Sequence, residues 1–536
     1  MIKKYFPFFF LIYSSSAFAQ GPVFNWGLSI GGSDDERAYD IMIVDSSLYP
    51  YLSQNSLIVV GTTKSDDGNV AFCGTGTNND QALYVVIDTV GNNNGCHAFG
   101  GSGYDEFDKG MWVLANPPMT HKVFLGRTSS NDGNVSGNHG NMDAWLVRVK
   151  FNTLISQKCI GGKAWDAGSD FIEMPDKGFM ICGASASDTI DGQATNNHGF
   201  YDGWVIRTDS SGNIIWSRQY GGNLGDYLES IVRTTDGNFV CTGFSNSTDS
   251  TFSLNHGAND YWIIKIDTSG NLLWQKIYGG TGNDYAYKVI QSRDGKLVIT
   301  GNAVSLDGDV VGNHSSPGAS DVWVLKLNSA GNIIWNKCFG GSDIEVNRSI
   351  IQTRDNNFVI ASSSLSNDGD LTNIQGFKGA WIFKIDSSGN FLWSKQFGSN
   401  SASGPGIITS YNSHSFYFLS RPLINGGNVP IFYGGFADIW FASISDTANG
   451  LGDSEINGRN KIVLYPNPVS LSLKISTKAI SQIKVIFINS MGKEVLNQER
   501  FIHFEGSFDI TDLASGLYFV KIISGENVTI KKIIKN

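Results

Sequence analysis

The chain has 536 residues and a formal charge of −10, with 63 glycines and 41% hydrophobic residues. It is too long for one ordinary domain, and its acidity excludes nucleic acid as a natural partner while suiting cations or neutral glycans. The charge is uneven: residues 459–536 hold eleven basic and six acidic side chains, which leaves −15 for the remainder.

The chain opens on Lys3-Lys4, an apolar run from Tyr5 to Tyr13, and Ala17-Phe18-Ala19 before Gln20. A basic start, a short apolar core and a small-x-small site predict a signal peptide over residues 1–19, cut between Ala19 and Gln20. The run is too short to span a bilayer, and no other transmembrane candidate follows. The mature chain is therefore expected outside the cytoplasm.

From Trp26 to Trp440 one unit returns about every sixty residues. Residues 212–280 show it in full: Gly-Asn-Ile-Ile-Trp, Gly-Gly, Asp-Gly-Asn-Phe-Val-Cys-Thr-Gly, then Asp-Tyr-Trp-Ile-Ile-Lys-Ile-Asp. One tryptophan recurs as Trp145, Trp204, Trp262, Trp323, Trp381 and Trp440, with Tyr84 in the first copy. Another precedes the Gly-Gly pair as Trp216, Trp274 and Trp335, and Trp393 has the same offset from Gly398-Ser399. A fixed period of this size means one supersecondary unit per repeat, stacked on its neighbours to bury a shared core.

Each copy reads as four short strands. Residues 228–234 and 239–244 flank Asp236-Gly237, and residues 261–266 and 272–277 flank Thr268-Ser269-Gly270-Asn271, both hairpin-turn signals. Four antiparallel strands per unit is a propeller blade. The expected fold of residues 20–445 is an all-β, seven-bladed β-propeller. The last copy lacks a fourth strand, and Val23-Phe24-Asn25-Trp26 stands in that register, so an N-terminal strand should close the ring and remove its open edges.

Two loop sets should share one face. The first carries Glu36, Asp105, Asp166, Asp226, Asp284 and Glu345, each four positions after the second glycine, with Ser403 in the seventh copy. Each carboxylate either caps a turn or contributes to a cation site at the ring's mouth, and capping is the simpler role. The second set repeats Ser-x-Asp-Gly-x-Val/Leu at residues 65–70, 130–135, 305–310 and 366–371, followed by His139, His198, His256 and His314. These loops suit calcium in composition but lack the EF-hand spacing and its closing Glu. The histidines lie one per unit, too dispersed for one metal centre. Asp143, Asp202, Asp260, Asp321 and Asp438, two residues before a tryptophan, read as turn anchors. No cofactor is required, with calcium the alternative.

Of the cysteines, Cys182 and Cys241 fall on second strands, and Cys159 and Cys338 on fourth strands. Those core-like places favour free buried thiols; export permits disulfides, but spacing assigns no pair. No Gly-x-Ser-x-Gly, His-Glu-x-x-His or phosphate-binding glycine loop occurs, so no catalytic residue is named.

Residues 446–460 are polar and Gly-rich, as in a linker. Residues 461–536 then alternate in short strands that predict a small β-sandwich of immunoglobulin-like type. Tyr465-Pro466-Asn467-Pro468-Val469, Asn489-Ser490-Met491-Gly492-Lys493, Asp512-Leu513-Ala514-Ser515-Gly516-Leu517-Tyr518 and Lys531-Lys532-Ile533 follow in order. They resemble the type A C-terminal sorting domain of the type IX secretion system. The resemblance implies recognition by the outer-membrane translocon, removal by a sorting peptidase, and display on the outer-membrane surface or release after passage through the periplasm. The repeats also resemble propellers carried by such cargo, and the Asp-x-x-Gly-x-x-x-Trp of Asp267–Trp274 resembles quinoprotein-type hairpins; both imply a fold, not an activity. The expected function is a non-catalytic binding module for a glycan or a surface protein. A carbohydrate-active enzyme using the loop face is the alternative, and a passive surface protein the third.

Overall fold

The computed structural model describes residues 22–44, 55–73, 79–114, 120–191, 193–194, 197–249, 255–371, 379–398, 404–410, 415–424, 426–434, 437–446, 463–465, 472–476, 481–489, 493–502, 505–524 and 527–535. The signal peptide with Ala19 and Gln20, residues 447–460, Ser403, Pro466, Asn467, Pro468 and Gly492 lie outside them. The chain forms two units, Met1–Ala448 and Asn449–Asn536.

The first unit is all-β, built from repeated four-stranded antiparallel sheets in the manner of propeller-like folds. The first sheet runs Glu36–Val44, Ser56–Thr63, Gln81–Asp88 and Asn93–Phe99. The second runs Asp105–Leu114, Thr120–Thr128, Asp143–Lys150 and Thr153–Ile160. The third comprises Asp166–Glu173, Phe179–Ser185, Asp202–Thr208 and Ile214–Tyr220. The fourth comprises Asp226–Arg233, Phe239–Ser245, Asp260–Ile266 and Leu272–Tyr278. In the fifth, Asp284–Gln291, Leu297–Ala303, Asp321–Leu327 and Ile333–Phe339 follow the same order. So do Glu345–Gln352, Phe358–Ser364, Gly379–Ile385 and Phe391–Phe397 in the sixth.

Gly404–Ser410, Ser415–Arg421 and Ile439–Ser445 then pair in order, and the N-terminal strand Val23–Ile30 adds antiparallel to Ile439–Ser445. One parallel bridge, Asn347 to Gly406, joins this group to the sixth sheet. The first strands of successive sheets touch one another in turn, and Gly404–Ser410 touches Glu36–Val44. Tyr417, Leu419, Ile439 and Phe441 share a core with Ile41, Leu57, Val59 and Leu83, so the last strands pack on the first sheet.

Second and third strands are covered on both faces, which is why they read as continuous apolar runs: every residue of Asp260–Ile266 is buried. The fourth strands alternate and are partly exposed, as outer strands must be. The tight turns need a left-handed residue, and glycine supplies it at Gly237 (φ +85°) and Gly270 (φ +79°).

One register assignment changes. Trp145, Trp204, Trp262 and Trp323 are fully buried and sit opposite Gly126, Gly183, Gly243 and Gly301 on the second strand. In the first sheet Leu83, not Tyr84, sits opposite the matching Gly61. Because a one-residue step reverses the face of a strand, Tyr84 points instead into the core shared with the second sheet, beside Phe124 and Phe107. Trp26 keeps the expected fourth-strand register and is half-buried, as Trp216, Trp274 and Trp335 are. It lies against Gly91 of the first sheet, as Trp216, Trp274 and Trp335 lie against Gly270, Gly331 and Gly389 of the sheet after their own.

Cys159, Cys182, Cys241 and Cys338 are free and buried. Cys73 and Cys96 form a disulfide, which the spacing alone did not reveal; it ties the loop after Ser56–Thr63 to the fourth strand of the same sheet. Asp446, the expected first linker residue, is buried in the first unit, with Lys384 Nζ 2.9 Å away.

The second unit has a sheet of Val463–Tyr465, Ser472–Ser476 and Glu505–Asp509. Its other sheet orders Glu494–Ile502, Ser481–Asn489, Gly516–Ser524 and Asn527–Lys535. Leu473, Ile475 and Phe508 from the first sheet pack with Val485, Phe487, Val520, Ile522 and Ile533 from the second. Among the described residues the only helical turns are 3-10, Gly68–Val70 and Gly369–Leu371.

Candidate functional site

The six repeated acids open the first strands, each fully buried in its own sheet. Each accepts the backbone N–H of the second glycine four residues earlier, at 2.6–3.0 Å. Hydroxyls complete the shell: Thr63 donates to Glu36 at 2.6 Å, Ser130 to Asp105 at 2.7 Å, Ser187 to Asp166 at 2.7 Å. Ser247, Ser305 and Ser364 do the same for Asp226, Asp284 and Glu345 at 2.8, 2.6 and 2.6 Å. The six carboxylates are thus spread around the unit, one per sheet, each bonded within its own turn, with Asp226 Oδ1 left without a partner among the described residues.

The Ser-x-Asp-Gly loops are likewise used internally. Asp67, Asp132, Asp307 and Asp368 accept the N–H of Ser33, Ser102, Thr281 and Ser342 at 2.6–2.8 Å. Nδ1 of His139, His198, His256 and His314 lies 2.6–3.2 Å from Asp143, Asp202, Asp260 and Asp321, each pair within its own loop. The other oxygen of those aspartates, and of Asp438, has no hydrogen-bond partner among the described residues. It faces the first glycine of a Gly-Gly pair, where a Cβ would come within 2.2–2.6 Å, so the glycine is required and a weak Cα–H contact is the available partner. No group of three or more His, Cys, Asp or Glu side chains suited to a metal occurs among the described residues.

Burial pushes many of these carboxyls up: Asp226 and Asp260 to about 6, Glu345 and Asp438 to about 7. A carboxyl raised in the folded state binds its proton more tightly there than in the unfolded chain. Its stabilisation is complete below the unfolded value of about 4 and disappears as pH rises through the folded value. Asp294 and Asp355, held down to about 2 against their own burial by hydrogen bonds and Lys partners, act oppositely on the acid side. The melting temperature should therefore peak at about pH 4–5 and fall toward pH 8. A midpoint that is flat or rises between pH 5 and 8 would contradict this.

What breaks the repeat symmetry lies elsewhere. In all six sheets the pairing of first and second strands shifts register at one place, leaving Tyr39, Asp108, Ser169, Glu229, Tyr287 and Arg348 unpaired. Such bulges bend the strand and re-aim a side chain. Here the backbone device is constant while the residue it presents differs in almost every copy. The bulged residues are half-buried, and Arg348 is exposed.

Their fields show that they converge on one region. Burial and then Glu106 push Asp108 well up; Arg127 opposes them, Glu229 of the fourth sheet adds to them, and Arg348 of the sixth opposes them. Burial likewise raises Glu229 against the pull of Arg348 and Arg127. Arg127 donates to Glu106, as does the Tyr104 hydroxyl, and Arg127 lies 3.7 Å from Asp108. Lys288 of the fifth sheet reaches Asp170 of the third at 2.9 Å, and Lys109 reaches Asp40 at 2.9 Å.

Beside this cluster runs a chain of half-buried aromatic rings: Trp165 to Tyr227 (6.1 Å between centroids), Tyr227 to Phe244 (5.5 Å), Phe244 to Tyr285 (4.9 Å) and Tyr285 to Tyr287 (6.2 Å). Tyr201 lies 6.1 Å from Trp165, and Ser169 Oγ donates to Tyr227 Oη at 3.1 Å. Sequence reasoning passed over these residues because it followed what repeats; the available signal was the opposite one, the variable positions one and three places after each repeated acid.

In the second unit, Tyr465 ends the strand Val463–Tyr465. Gly516, Leu517 and Tyr518 open Gly516–Ser524, and Lys531 and Lys532 lie on Asn527–Lys535 opposite Val520 and Phe519. Residues 463–536 match the family described as the secretion system C-terminal sorting domain. This type IX tail marks the chain for export to the cell surface or the extracellular space and implies interaction with the secretion machinery. Among the described residues no helix is long and apolar enough to cross a membrane.

No curated protein matches the chain. Among solved structures it is similar to the extracellular domain assigned to a hybrid two component system of B. thetaiotaomicron (12% identity, TM-score 0.35, 94% of this chain and 56% of that one). It is also similar to Sqt1 from Chaetomium thermophilum (12%, TM-score 0.39, 78% and 89%) and to the Pan2 WD40 domain of Neurospora crassa (10%, TM-score 0.33, 63% and 88%). The chain spans little more than half of the first of these, and at such scores the likeness says nothing about a ligand.

Proposed function

We propose that this protein is a secreted or outer-membrane-displayed type IX cargo whose first unit is a seven-bladed propeller binding a glycan at its centre. In this reading the first strands line the axis, Val23–Ile30 closes the ring, and the tail is an immunoglobulin-like sandwich removed by the sorting peptidase. The domain limits are those expected from the sequence, with Asp446 added to the propeller. The six repeated acids are turn caps rather than calcium ligands, since each already accepts a glycine N–H and at least one hydroxyl.

The observation that carries this reading is the run of half-buried rings from Trp165 to Tyr287 beside Asp108, Glu229 and Arg348. Sugars stack their C–H faces on aromatic rings and bond through their hydroxyls to carboxylates and guanidinium groups, so a site for them needs both kinds of surface. A protein ligand remains the neighbouring alternative, and the repeat scaffold itself is indifferent to the choice.

Full-length protein should be retained by some members of an oligosaccharide panel, and Tyr227→Ala, with an unchanged melting temperature, should weaken retention at least about tenfold. Retention of no glycan, or binding indifferent to Tyr227, would refute the proposal. The enzymatic alternative rests on Asp108, a carboxyl that burial and Glu106 hold toward its acid form, as a proton donor to a glycosidic oxygen requires. The same panel scored for released product separates the two.

A further inference from the structure

We infer that the ring centre takes an acidic glycan, whose anionic substituent, a carboxylate or a sulfate ester, is bound by the guanidinium of Arg348; this rests on the glycan reading above. The other cations of the region are already matched. Arg37 and Arg421 each reach Asp35 at 2.7 Å, Arg127 holds Glu106, Lys109 reaches Asp40 and Lys288 reaches Asp170, both at 2.9 Å. Arg348 differs. Among the described residues it makes no hydrogen bond or ion pair; its guanidinium lies 4.4 Å from the centroid of the Tyr287 ring, and it is exposed to solvent.

A guanidinium stacked on a phenol keeps its planar fork of N–H donors free along the edge, the geometry that grips a carboxylate or a sulfate through two parallel hydrogen bonds. Stacking also limits the side chain before the ligand arrives, which lowers the ordering cost of binding. The position is a bulge, where the backbone is bent to present one side chain, and in the other sheets that place is held by tyrosine, serine or an acid.

The nearby carboxyls do not forbid an anion. Asp108 and Glu229 are both pushed toward their neutral acid forms by burial, which reduces repulsion and leaves groups able to bond to sugar hydroxyls. The guanidinium of Arg348 is charged at every ordinary pH, so its donors are present whatever the state of the neighbouring acids. The rings of Tyr227 and Tyr285 then offer faces for the sugar itself.

Titration of the full-length protein with an oligogalacturonate, a sulfated galactan oligosaccharide and the unsulfated galactan, in constant low salt, tests this. The wild type should bind at least one acidic ligand about tenfold or more tighter than the neutral one, the worth of a charge-assisted bidentate contact. Whichever acidic ligand binds tighter identifies the anion. Arg348→Gln, folded as judged by an unchanged melting temperature, should bring the acidic-to-neutral ratio close to one, and Arg348→Lys should restore part of it. Equal affinity for acidic and neutral ligands, or a ratio unmoved by Arg348→Gln, would overturn the inference while Tyr227→Ala still weakened binding and so upheld the glycan site. Binding of none of the three, or of none of the wider panel, would remove both.

Discussion

Removal of residues 20–32 is expected to unfold the whole first unit rather than trim its edge. Val23–Ile30 pairs along Ile439–Ser445 from Val23 opposite Ser445 to Ile30 opposite Ile439, so its loss strands a full row of backbone groups. Ile30 is fully buried in the core between the last strands and the first sheet, and Trp26 covers Gly91 of that sheet. In the closed ring proposed above, stability is distributed over nearest-neighbour contacts, and cutting the contact that joins the ends opens two faces at once. The truncated protein should aggregate or melt far below the intact one. Trp26→Ala alone, at a half-exposed ring, should cost about 2 kcal/mol, less than the 3–5 typical of a fully buried tryptophan. A truncated chain with an unchanged cooperative transition would mean that the ends are joined by other contacts.

Deleting residues 449–536 should abolish export while leaving the first unit folded. The two units have separate cores, the second built from Leu473, Val485, Phe487, Val520 and Ile533 among others. The match to the sorting family covers residues 463–536. The truncated protein is expected in the periplasm at normal abundance, with its native melting temperature, and missing from the medium and the cell surface. Normal amounts outside the cell would show that the tail is dispensable for export.

Much of the scaffold was legible because the same physics acts in every copy. The buried tryptophans, the glycine turns and the acids that open the first strands recur at fixed spacing, and the tryptophans from Trp145 to Trp323 each face a glycine, while Trp381 and Trp440 face Ser362 and Ser420. The errors came where a copy departs from the pattern. Counting back from the tryptophans placed Tyr84 on the wrong face, since strand register, not spacing in the chain, decides which side a residue takes. The Cys73–Cys96 disulfide occurs in the first sheet alone and has no counterpart to compare. A further repeated pattern escaped notice: Arg207, Lys265, Lys326 and Lys384, three residues after the buried tryptophans, pair with Asp176, Asp236, Asp294 and Asp355 in the hairpin turns. Those lysines and arginines look like surface charges in an apolar run until the fold brings the turn aspartates beside them.

The candidate site was illegible for a related reason. Repeats identify what every sheet needs, whereas a single ligand needs residues that differ from sheet to sheet. Tyr39, Asp108, Ser169, Glu229, Tyr287 and Arg348 share a backbone bulge and nothing else, and only the contacts between successive first strands bring Tyr39, Asp108, Glu229, Tyr287 and Arg348 into one electrostatic neighbourhood.

The most direct test is a crystal structure of the exported protein soaked with the tightest ligand from the oligosaccharide panel. The sugar should lie at the ring centre, its face on Tyr227 or Tyr285 and its polar groups within hydrogen-bond reach of Glu229, Asp108 or Arg348. Density over the Ser-x-Asp-Gly loops at residues 65–70, 130–135, 305–310 or 366–371, with the ring centre holding water alone, would contradict the assignment of function to the bulged first strands.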